Sequence, residues 1–281
     1  METIPTILSL ELPLIPSDLK FETVANPINN RFSEKIYGAI AVNGNRWTVV
    51  SDPETDLWWV SPRPEAKFYE ILYTKLFYSS PIPEQFGYAT LETDGTRRTE
   101  KAAKNWDDIE THIVIKTKNR LLEIGCGPGE FLLEAQKRGW KTVVGNELEE
   151  SSAKLAREKG IAIDTGYFEN FTSPDGQNFD MLFADNVIEH TMNPLEFLQK
   201  AYSVTNPDGL LVLRLPDTQD FGPTLKLIDH TFHFTRKSIK SIVEKAGYQV
   251  ETIFYSGTFK GTLYDQDNRQ RIENMTVIAR K

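Results

Sequence analysis

Residues 121–132 read Leu-Leu-Glu-Ile-Gly-Cys-Gly-Pro-Gly-Glu-Phe-Leu and decide the fold of this chain. The first four residues are typical of a short buried strand, and Gly125, Gly127 and Gly129 favour a tight turn after it. A helix is predicted over 130–138, and its first turn offers unpaired N–H groups. Because the glycines leave the backbone open to a ligand, the stretch predicts a nucleotide-type binding site.

The composition is typical of a globular protein with a sizeable core. The 281 residues are 40% hydrophobic and 26% charged, and the net charge of −8 argues against a broad nucleic-acid-binding face. Cys126 is the only cysteine, which excludes an intrachain disulfide and a zinc site built from several cysteines. No run of residues has the length and apolarity of a membrane span or the pattern of a signal peptide. We therefore expect a cytoplasmic protein.

Residues 1–95 predict an N-terminal arm and a small aromatic-rich α+β region that contributes to the acceptor site. Four prolines before residue 35 favour an extended arm. Alternating apolar residues over 35–60, with Asn43-Gly44 between them, predict a β-hairpin and a third strand over 57–60. A helix is predicted over 64–78, beginning at Pro64. We expect the dense aromatic residues of this region to form its core.

Residues 96–281 predict a second, larger domain. A polar helix over 97–112 precedes a series of alternating strands and helices, and two final strands are expected to pair antiparallel at the sheet edge. The predicted strands are 121–124, 141–145, 161–164, 179–184, 210–215, 248–255 and 275–280, and the predicted helices are 149–159, 194–204 and 236–246. A turn is predicted over 206–209. This alternation predicts an α/β fold with a doubly wound, mostly parallel sheet.

Two acidic residues lie at the ends of the first two strands of this domain. The glycine spacing differs from the Gly-x-Gly-x-x-Gly of dinucleotide-binding enzymes, and Glu123 beside the loop disfavours a phosphate but suits an ammonium or sulfonium group. Glu147, about twenty residues downstream, is placed like the acid that binds ribose hydroxyls. The pair predicts a ligand that combines a cationic group with a nucleoside.

Residues 118–281 resemble class I S-adenosylmethionine-dependent methyltransferases. The resemblance rests on the glycine loop, on Gly145-Asn146-Glu147, on the run 179–190 that ends in Glu189-His190, and on the segments 206–213 and 230–235. It is closest to the branch with Glu-His after the fourth strand, which includes ubiquinone-biosynthesis-type and sugar methyltransferases. The resemblance implies a Rossmann-like seven-stranded sheet and S-adenosyl-L-methionine as the cofactor.

The same resemblance implies the residues of the cofactor site. The glycine loop would meet the methionine part, the second-strand acid the ribose, Tyr167 or Phe168 the adenine, and Asp185-Asn186 the transferable methyl. Cys126 is expected to pack near the cofactor without reacting. The complete expected set is Glu123, Gly125, Cys126, Gly127, Gly129, Glu147, Leu148, Tyr167, Phe168, Asp185 and Asn186.

Few catalytic residues are expected, because the sulfonium already activates the methyl group. A general base is needed only if the acceptor enters protonated. His190, His230 and His233 are the candidates, with an orienting or structural role favoured over that of the base.

Some relatives with Glu-x-x-Glu-His bind a divalent ion that positions the acceptor. Glu189, His190, His230 and His233 would be its ligands in this chain, but Asn186 replaces the first Glu. Because the loss of one anionic ligand weakens a site for a hard cation, we predict no metal.

Three functions are weighed. The leading one is methyl transfer to an oxygen, nitrogen or carbon atom of a small molecule, in a pocket formed by residues 216–235 with Tyr37, Trp58 or Trp59. The second is a cofactor-binding regulatory module without turnover. The third is a nicotinamide-dependent oxidoreductase, which the loop spacing and Glu123 contradict. RNA methylation is disfavoured by the acidity, and the sequence leaves the oligomeric state open.

The hairpin and helix of the N-terminal region resemble a zinc-binding hairpin domain found in some sugar and antibiotic-pathway methyltransferases. The cysteine ligands of that domain are missing here. Any such region must therefore be held together by its aromatic side chains.

Overall fold

The computed structural model describes residues 4–76, 95–218, 225, 228–260 and 271–281 of the chain. Phe77, Tyr78, Phe86 and Tyr88, which the sequence assigned to the N-terminal aromatic region, and part of the predicted pocket segment 216–235 lie outside these residues. Within the described part, no helix is long and apolar enough to cross a membrane.

The strands form one sheet of seven, one of five and one of two. Those of the N-terminal region are β1 (Thr6–Leu10), β2 (Phe21–Glu22), β3 (Ile36–Val42), β4 (Asn45–Asp52), β5 (Leu57–Val60) and β6 (Arg63–Pro64). Those that follow are β7 (Arg120–Ile124), β8 (Thr142–Glu147), β9 (Ala162–Thr165), β10 (Phe179–Asp185), β11 (Thr205–Pro216), β12 (Phe232–His233), β13 (Gln249–Lys260) and β14 (Arg271–Arg280).

Six α-helices connect and cover these strands in the described part of the chain. They are α1 (Ala66–Ile71), α2 (Gly95–His112), α3 (Glu130–Lys137), α4 (Glu150–Glu158), α5 (Pro194–Val204) and α6 (Arg236–Lys245). A π-helical turn, Leu72–Leu76, continues α1, and the short 3₁₀ turns Phe168–Asn170 and Ile188–His190 follow β9 and β10.

The seven-stranded sheet has the order β13-β14-β11-β10-β7-β8-β9. The strands from β11 to β9 in that order pair in parallel, and β14 pairs antiparallel with both β11 and β13. Helical crossovers produce the parallel part, and β14, the next strand after β13 in the chain, pairs antiparallel with it at the edge. The predicted doubly wound α/β fold is confirmed.

The two faces of this sheet are both buried, because helices cover each of them. Alternate residues of the central strands point to opposite faces, so Leu122 and Leu182 join one core and Leu121 and Phe183 the other. The second of these cores includes Trp106 of α2, so the predicted polar helix packs on that face through a narrow apolar stripe.

The five-stranded sheet has the order β1-β3-β4-β5-β12. The predicted hairpin and third strand are present as β3, β4 and β5. The sheet ends on β12, in which Phe232 pairs with Trp59 and His233 with Trp58. Because β12 comes from the C-terminal half of the chain, this sheet crosses the boundary predicted near residue 95.

The predicted extended arm includes β1, which adds to β3 in parallel. Two local predictions are wrong. Pro64 does not begin a helix; it lies in β6 opposite Phe21, and α1 begins at Ala66. The turn predicted over 206–209 is an irregularity inside β11: Asp208 has a φ of 61°, and the pairing with β10 advances from Thr205 to Leu210 between Phe179 and Met181.

Candidate active site

The glycine loop after β7 is packed at its two ends and open in the middle. All three glycines have positive φ, at 69° for Gly125, 51° for Gly127 and 85° for Gly129. A Cβ on Gly125 would lie 2.7 Å from Val187, and one on Gly129 would lie 2.3 Å from Ile161. A Cβ on Gly127 would meet nothing within 4 Å. The backbone therefore offers free space to a ligand at Gly127.

Glu147, at the end of β8, ties the loop to the neighbouring strand. Its Oε2 accepts a hydrogen bond from the Gly127 N–H at 2.7 Å, and its Oε1 accepts one from the Glu149 N–H at 2.8 Å. Burial raises the pKa of the Glu147 carboxyl, although these backbone donors oppose the rise. Each carboxylate oxygen keeps a second lone pair, so the group can still accept bonds from a pair of ribose hydroxyls.

Glu123, in β7, is a buried carboxylate with an unused oxygen. Its side chain is 5% exposed, and Oε2 has no hydrogen-bond partner among the described residues. Burial first, and then the negative charges of Asp185 and Glu130, raise its pKa well above the usual value. A ligand ammonium group would satisfy the oxygen and offset the charge, so the donor set fits the cationic end of S-adenosylmethionine.

Cys126 and the residues expected around the adenine are positioned by packing. Cys126 is buried against Gly145, where a Cβ would lie 2.5 Å from its Sγ, and burial raises the pKa of the thiol. Leu148 is half-buried just after Glu147. Tyr167 is 51% exposed, whereas the ring of Phe168 packs in the core. Of the two rings, only Tyr167 is therefore available to a bound ligand.

Asp185 ends β10 and is held by two cations that the sequence analysis did not single out. Its carboxylate lies 2.7 Å from Nζ of Lys101 in α2 and 2.8 Å from Nη1 of Arg214 in β11. Burial alone would raise the pKa of Asp185, but the two positive charges outweigh it and hold the pKa below its usual range. Arg214 could have been noticed as the one charged residue within the apolar run 210–216.

Asn186, the next residue, has a φ of 55°, in the left-handed region that non-glycine residues seldom occupy. Its N–H donates to the Arg214 carbonyl at 2.8 Å, and its Nδ2 donates to Asp185 Oδ1 at 3.0 Å. Its Oδ1 has no partner within the described part of the chain. Asn186 therefore bonds Arg214 through its backbone and Asp185 through its side chain, which keeps one free acceptor.

The three candidate histidines meet above the ends of β10 and β11. The ring centroids of His190 and His230 are 4.7 Å apart, and those of His230 and His233 are 5.7 Å apart. Nδ1 of His190 lies 3.2 Å from the Asp229 carbonyl oxygen, and Nε2 lies 3.9 Å from Glu189 Oε1. Tyr73, from the π-helical turn, packs edge-on against the His190 ring.

The three histidines differ in how deeply they are buried, and burial changes the pKa of two of them. Burial lowers the pKa of His233 to about 3 and that of His230 well below its usual value, so both rings are neutral near pH 7. His190 is 16% exposed and is the most accessible of the three. Burial also raises the pKa of Glu189 to about 7. The cluster thus contains one accessible imidazole backed by buried groups.

Three of these side chains are close enough to share a metal ion. One ligand atom each from Glu189, His190 and His230 lies within 4.8 Å of the others. One oxygen and two imidazole nitrogens would suit a transition metal better than a hard cation. The absence of a metal stays a prediction.

Comparison with known proteins agrees with this geometry. A model of the methyltransferase domain family matches residues 95–253, more than half of the chain. The chain belongs to this family. The match confirms the predicted resemblance to class I S-adenosylmethionine-dependent methyltransferases.

Curated relatives of this methyltransferase include ubiquinone biosynthesis O-methyltransferases of Actinobacillus pleuropneumoniae, 31% identical over 102 residues, and of Cereibacter sphaeroides, 35% identical over 101 residues. Each alignment covers 33% of this chain. The coverage of those two proteins is 43% and 39%, so the chain spans about two fifths of their length.

Solved structures share the fold. A SAM-dependent methyltransferase of Archaeoglobus fulgidus has a TM-score of 0.52 at 18% identity, covering 65% of this chain and 94% of that one. Phosphoethanolamine N-methyltransferase 2 of Haemonchus contortus, in complex with S-adenosyl-L-methionine, has a TM-score of 0.55 at 14% identity, covering 80% of this chain and 62% of that one. Identities this low show the fold alone.

Proposed function

We propose that this protein transfers a methyl group from S-adenosylmethionine to a small-molecule acceptor. The observation that carries the proposal is the buried, unpartnered Oε2 of Glu123 beside a loop that is open at Gly127. Glu123 binds the ammonium group, Glu147 the ribose hydroxyls, and Tyr167 covers the adenine. The bound cofactor supplies an already activated methyl group, so the protein has to position the acceptor and exclude water.

His190 is the residue that accepts a proton from the acceptor. Its Nδ1 is directed at the Asp229 carbonyl, which accepts a hydrogen bond from an Nδ1–H and so leaves the lone pair on Nε2. The neutral, buried His230 packs edge-on against this ring and orients it. His233 lies in β12 and supports the cluster from the five-stranded sheet.

A small molecule is the acceptor class that the charge supports. A net charge of −8 disfavours a nucleic acid, which requires clustered cations along its phosphates. The single cysteine supports a reducing, cytoplasmic location. We propose the small-molecule acceptor and the cytoplasmic location together with the activity.

The direct test is a calorimetric titration with S-adenosylmethionine and with S-adenosylhomocysteine, followed by a screen of small acceptors with methyl-labelled cofactor. We expect binding of both compounds and transfer to at least one acceptor. Glu123→Gln should weaken binding about tenfold, because the charge on the free oxygen is lost. The control Glu134→Gln, in α3 where the side chain pairs with Lys137 and Arg138, should leave binding within about twofold. Binding without transfer would favour the regulatory module. Binding of NAD alone would favour the oxidoreductase.

A separate experiment tests whether the protein binds a metal ion and needs it for methyl transfer. Metal content is measured on the purified protein, and transfer is measured with and without a chelator. We expect unchanged transfer, because His190 removes the proton without a metal. A bound metal whose removal abolishes transfer would replace the base with the Glu189–His190–His230 site.

A further inference from the structure

A layer of buried polar side chains lies between α2 and the sheet, next to Asp185. In the strand register Asp185 pairs with Arg214, and Arg214 pairs with Thr276 of β14. Asn274 lies two residues from Thr276 and therefore on the same face. Arg214 is 8% exposed, and Asn274 is 1% exposed. A guanidinium and an amide are thus buried on the same face of two neighbouring strands.

The guanidinium of Arg214 is only partly used. Nη1 donates to Asp185 Oδ1 at 2.8 Å, and Nη2 makes one long contact of 3.5 Å to the Ser256 carbonyl oxygen. Nε has no partner among the residues that the structure describes. The buried Nε–Nη2 edge therefore makes no short hydrogen bond, and its geometry matches the two oxygens of a carboxylate.

Two side-chain amide oxygens also lack the hydrogen bonds that buried polar atoms usually make. Oδ1 of Asn186 and Oδ1 of Asn274 are buried and lack hydrogen-bond partners in the described ranges. Buried polar atoms are almost always hydrogen-bonded, so this donor and these two acceptors remain available to a bound molecule. That molecule would present an anionic group to Arg214 and hydroxyl groups to the two amides.

The sheet order places this layer on the acceptor side of the site. The loops after β7, β8 and β9 hold the cofactor-binding residues, and β10 separates these strands from β11 and β14. Neighbouring strands are about 4.8 Å apart, so Arg214 lies roughly one strand beyond Asp185.

We propose that Arg214 binds a carboxylate of the methyl acceptor, which makes the acceptor a small hydroxy acid. Asn186 and Asn274 accept hydrogen bonds from its hydroxyl groups. Asp185 holds the guanidinium through Nη1, so that the Nε–Nη2 edge faces the substrate. The inference rests on the proposed methyl transfer and names the substrate class for it.

The test measures binding of matched acids and amides to protein saturated with S-adenosylhomocysteine. The probes are 4-hydroxybenzoate with 4-hydroxybenzamide, and lactate with lactamide, so that an aromatic and an aliphatic acid are each compared with a neutral analogue. We expect at least one acid to bind tenfold or more tightly than its amide. Arg214→Lys keeps a positive charge near Asp185 but lacks the planar edge, and it should reduce this preference to less than threefold. Arg236→Lys, on α6 beside Asp217, is the matched control and should keep it.

A second variant covers the case in which Arg214→Lys fails to fold. Asn274→Asp adds a carboxylate on the same face of the neighbouring strand, where it can take the open edge of Arg214. We expect it to abolish the preference for acids while its melting temperature stays equal to or above that of the wild type.

The outcomes separate the two proposals. If the wild type does not bind S-adenosylhomocysteine, the proposed function and this inference both fail. If it binds S-adenosylhomocysteine but binds neither acid more tightly than its amide, only this inference fails. A preference for acids that survives in both Arg214→Lys and Asn274→Asp also overturns it.

Discussion

The cofactor side and the acceptor side of the sheet are built from contacts of very different sequence separation. On the cofactor side, Gly127 donates to Glu147, twenty residues away. On the acceptor side, His190 meets Asp229, and the hydroxyl of Tyr73 donates to the Asp229 carbonyl across 156 positions. A local motif can therefore specify how the methyl donor is held, whereas the acceptor pocket requires the complete fold.

Burial acts on the two sides in opposite directions. On the cofactor side it raises the pKa of the acids Glu123 and Glu147, and on the acceptor side it lowers the pKa of the bases His230 and His233. In each case burial disfavours the charged form. The cofactor side thus gains from a cationic ligand, and the acceptor side supplies neutral imidazoles.

The largest expected effect is on the acceptor side. His190→Asn should lower kcat about 10²- to 10³-fold with the best acceptor from the screen, because a positioned base contributes factors of that size. The affinity for S-adenosylhomocysteine should change less than about twofold, since the ring contacts Tyr73, His230 and Asp229. His112→Asn, an exposed histidine of α2, is the control. An unchanged kcat in His190→Asn would remove the base from the mechanism.

The next effect is on the cofactor side. Glu147→Ala removes the acceptor of two backbone hydrogen bonds as well as the carboxylate proposed to bind the ribose, so the affinity for S-adenosylhomocysteine should fall about 100-fold. Glu149→Ala removes only the cap that accepts bonds from the Ser151 and Ser152 N–H groups at the start of α4. It should cost roughly 1 kcal/mol of stability and leave the affinity within about threefold. Equal losses of affinity in the two variants would contradict the assignment of Glu147.

The cofactor side was also the more predictable one. The strand, the glycine loop and Glu147 were placed correctly because tight turns and strand ends leave local signals in the sequence. Phe168 could not be separated from Tyr167 by sequence, because both are aromatic and adjacent. Only packing shows that the Phe168 ring is in the core.

The acceptor side was predicted by residue type and not by arrangement. The three histidines were identified, but Asp229 and Tyr73, which contact His190, were not. β12 has only two residues and pairs with β5 across more than 170 positions, so it carries no periodicity to detect. In the sequence, nothing distinguishes Lys101 from the other charged residues of the polar helix. Its pairing with Asp185 depends on how α2 packs against the sheet.

A glycine pair tests how tightly the cofactor loop is packed. Gly129 and Gly139 have nearly the same φ, 85° and 90°, so alanine introduces similar backbone strain at both. A Cβ at Gly129 would also lie 3.3 Å from Ala156 Cβ, besides its contact with Ile161, whereas at Gly139 it meets nothing within 4 Å. Gly129→Ala should therefore lower the free energy of unfolding by roughly 1–2 kcal/mol more than Gly139→Ala, measured by urea denaturation. Equal losses in the free energy of unfolding would show that the space beside Gly129 can accommodate a methyl group.

A further expected effect is the pH dependence of stability contributed by His233. Its folded-state pKa of about 3 is below the usual 6.5, so below pH 6.5 the unfolded chain binds a proton that the folded chain excludes. The unfolded state holds more protons, and stability therefore rises with pH up to about 6.5 and is constant above it. The slope from this one group approaches roughly 1.4 kcal/mol per pH unit between pH 6 and 4. His233→Phe should flatten the curve over that interval in urea denaturation at a series of pH values.

The pH dependence of stability contributed by Glu189 has the opposite sign to that contributed by His233. Variants of the two residues therefore separate the two contributions. The folded-state pKa of Glu189 is raised to about 7 from the usual 4.5, so between these pH values the folded chain holds the extra proton. Stability from this group falls as pH rises through that window, which is the reverse of the effect of His233. Glu189→Gln should therefore steepen the rise of stability between pH 4.5 and 6.5, whereas His233→Phe reduces it. If both variants shift the slope in the same direction, the cluster titrates as a unit and cannot be assigned residue by residue.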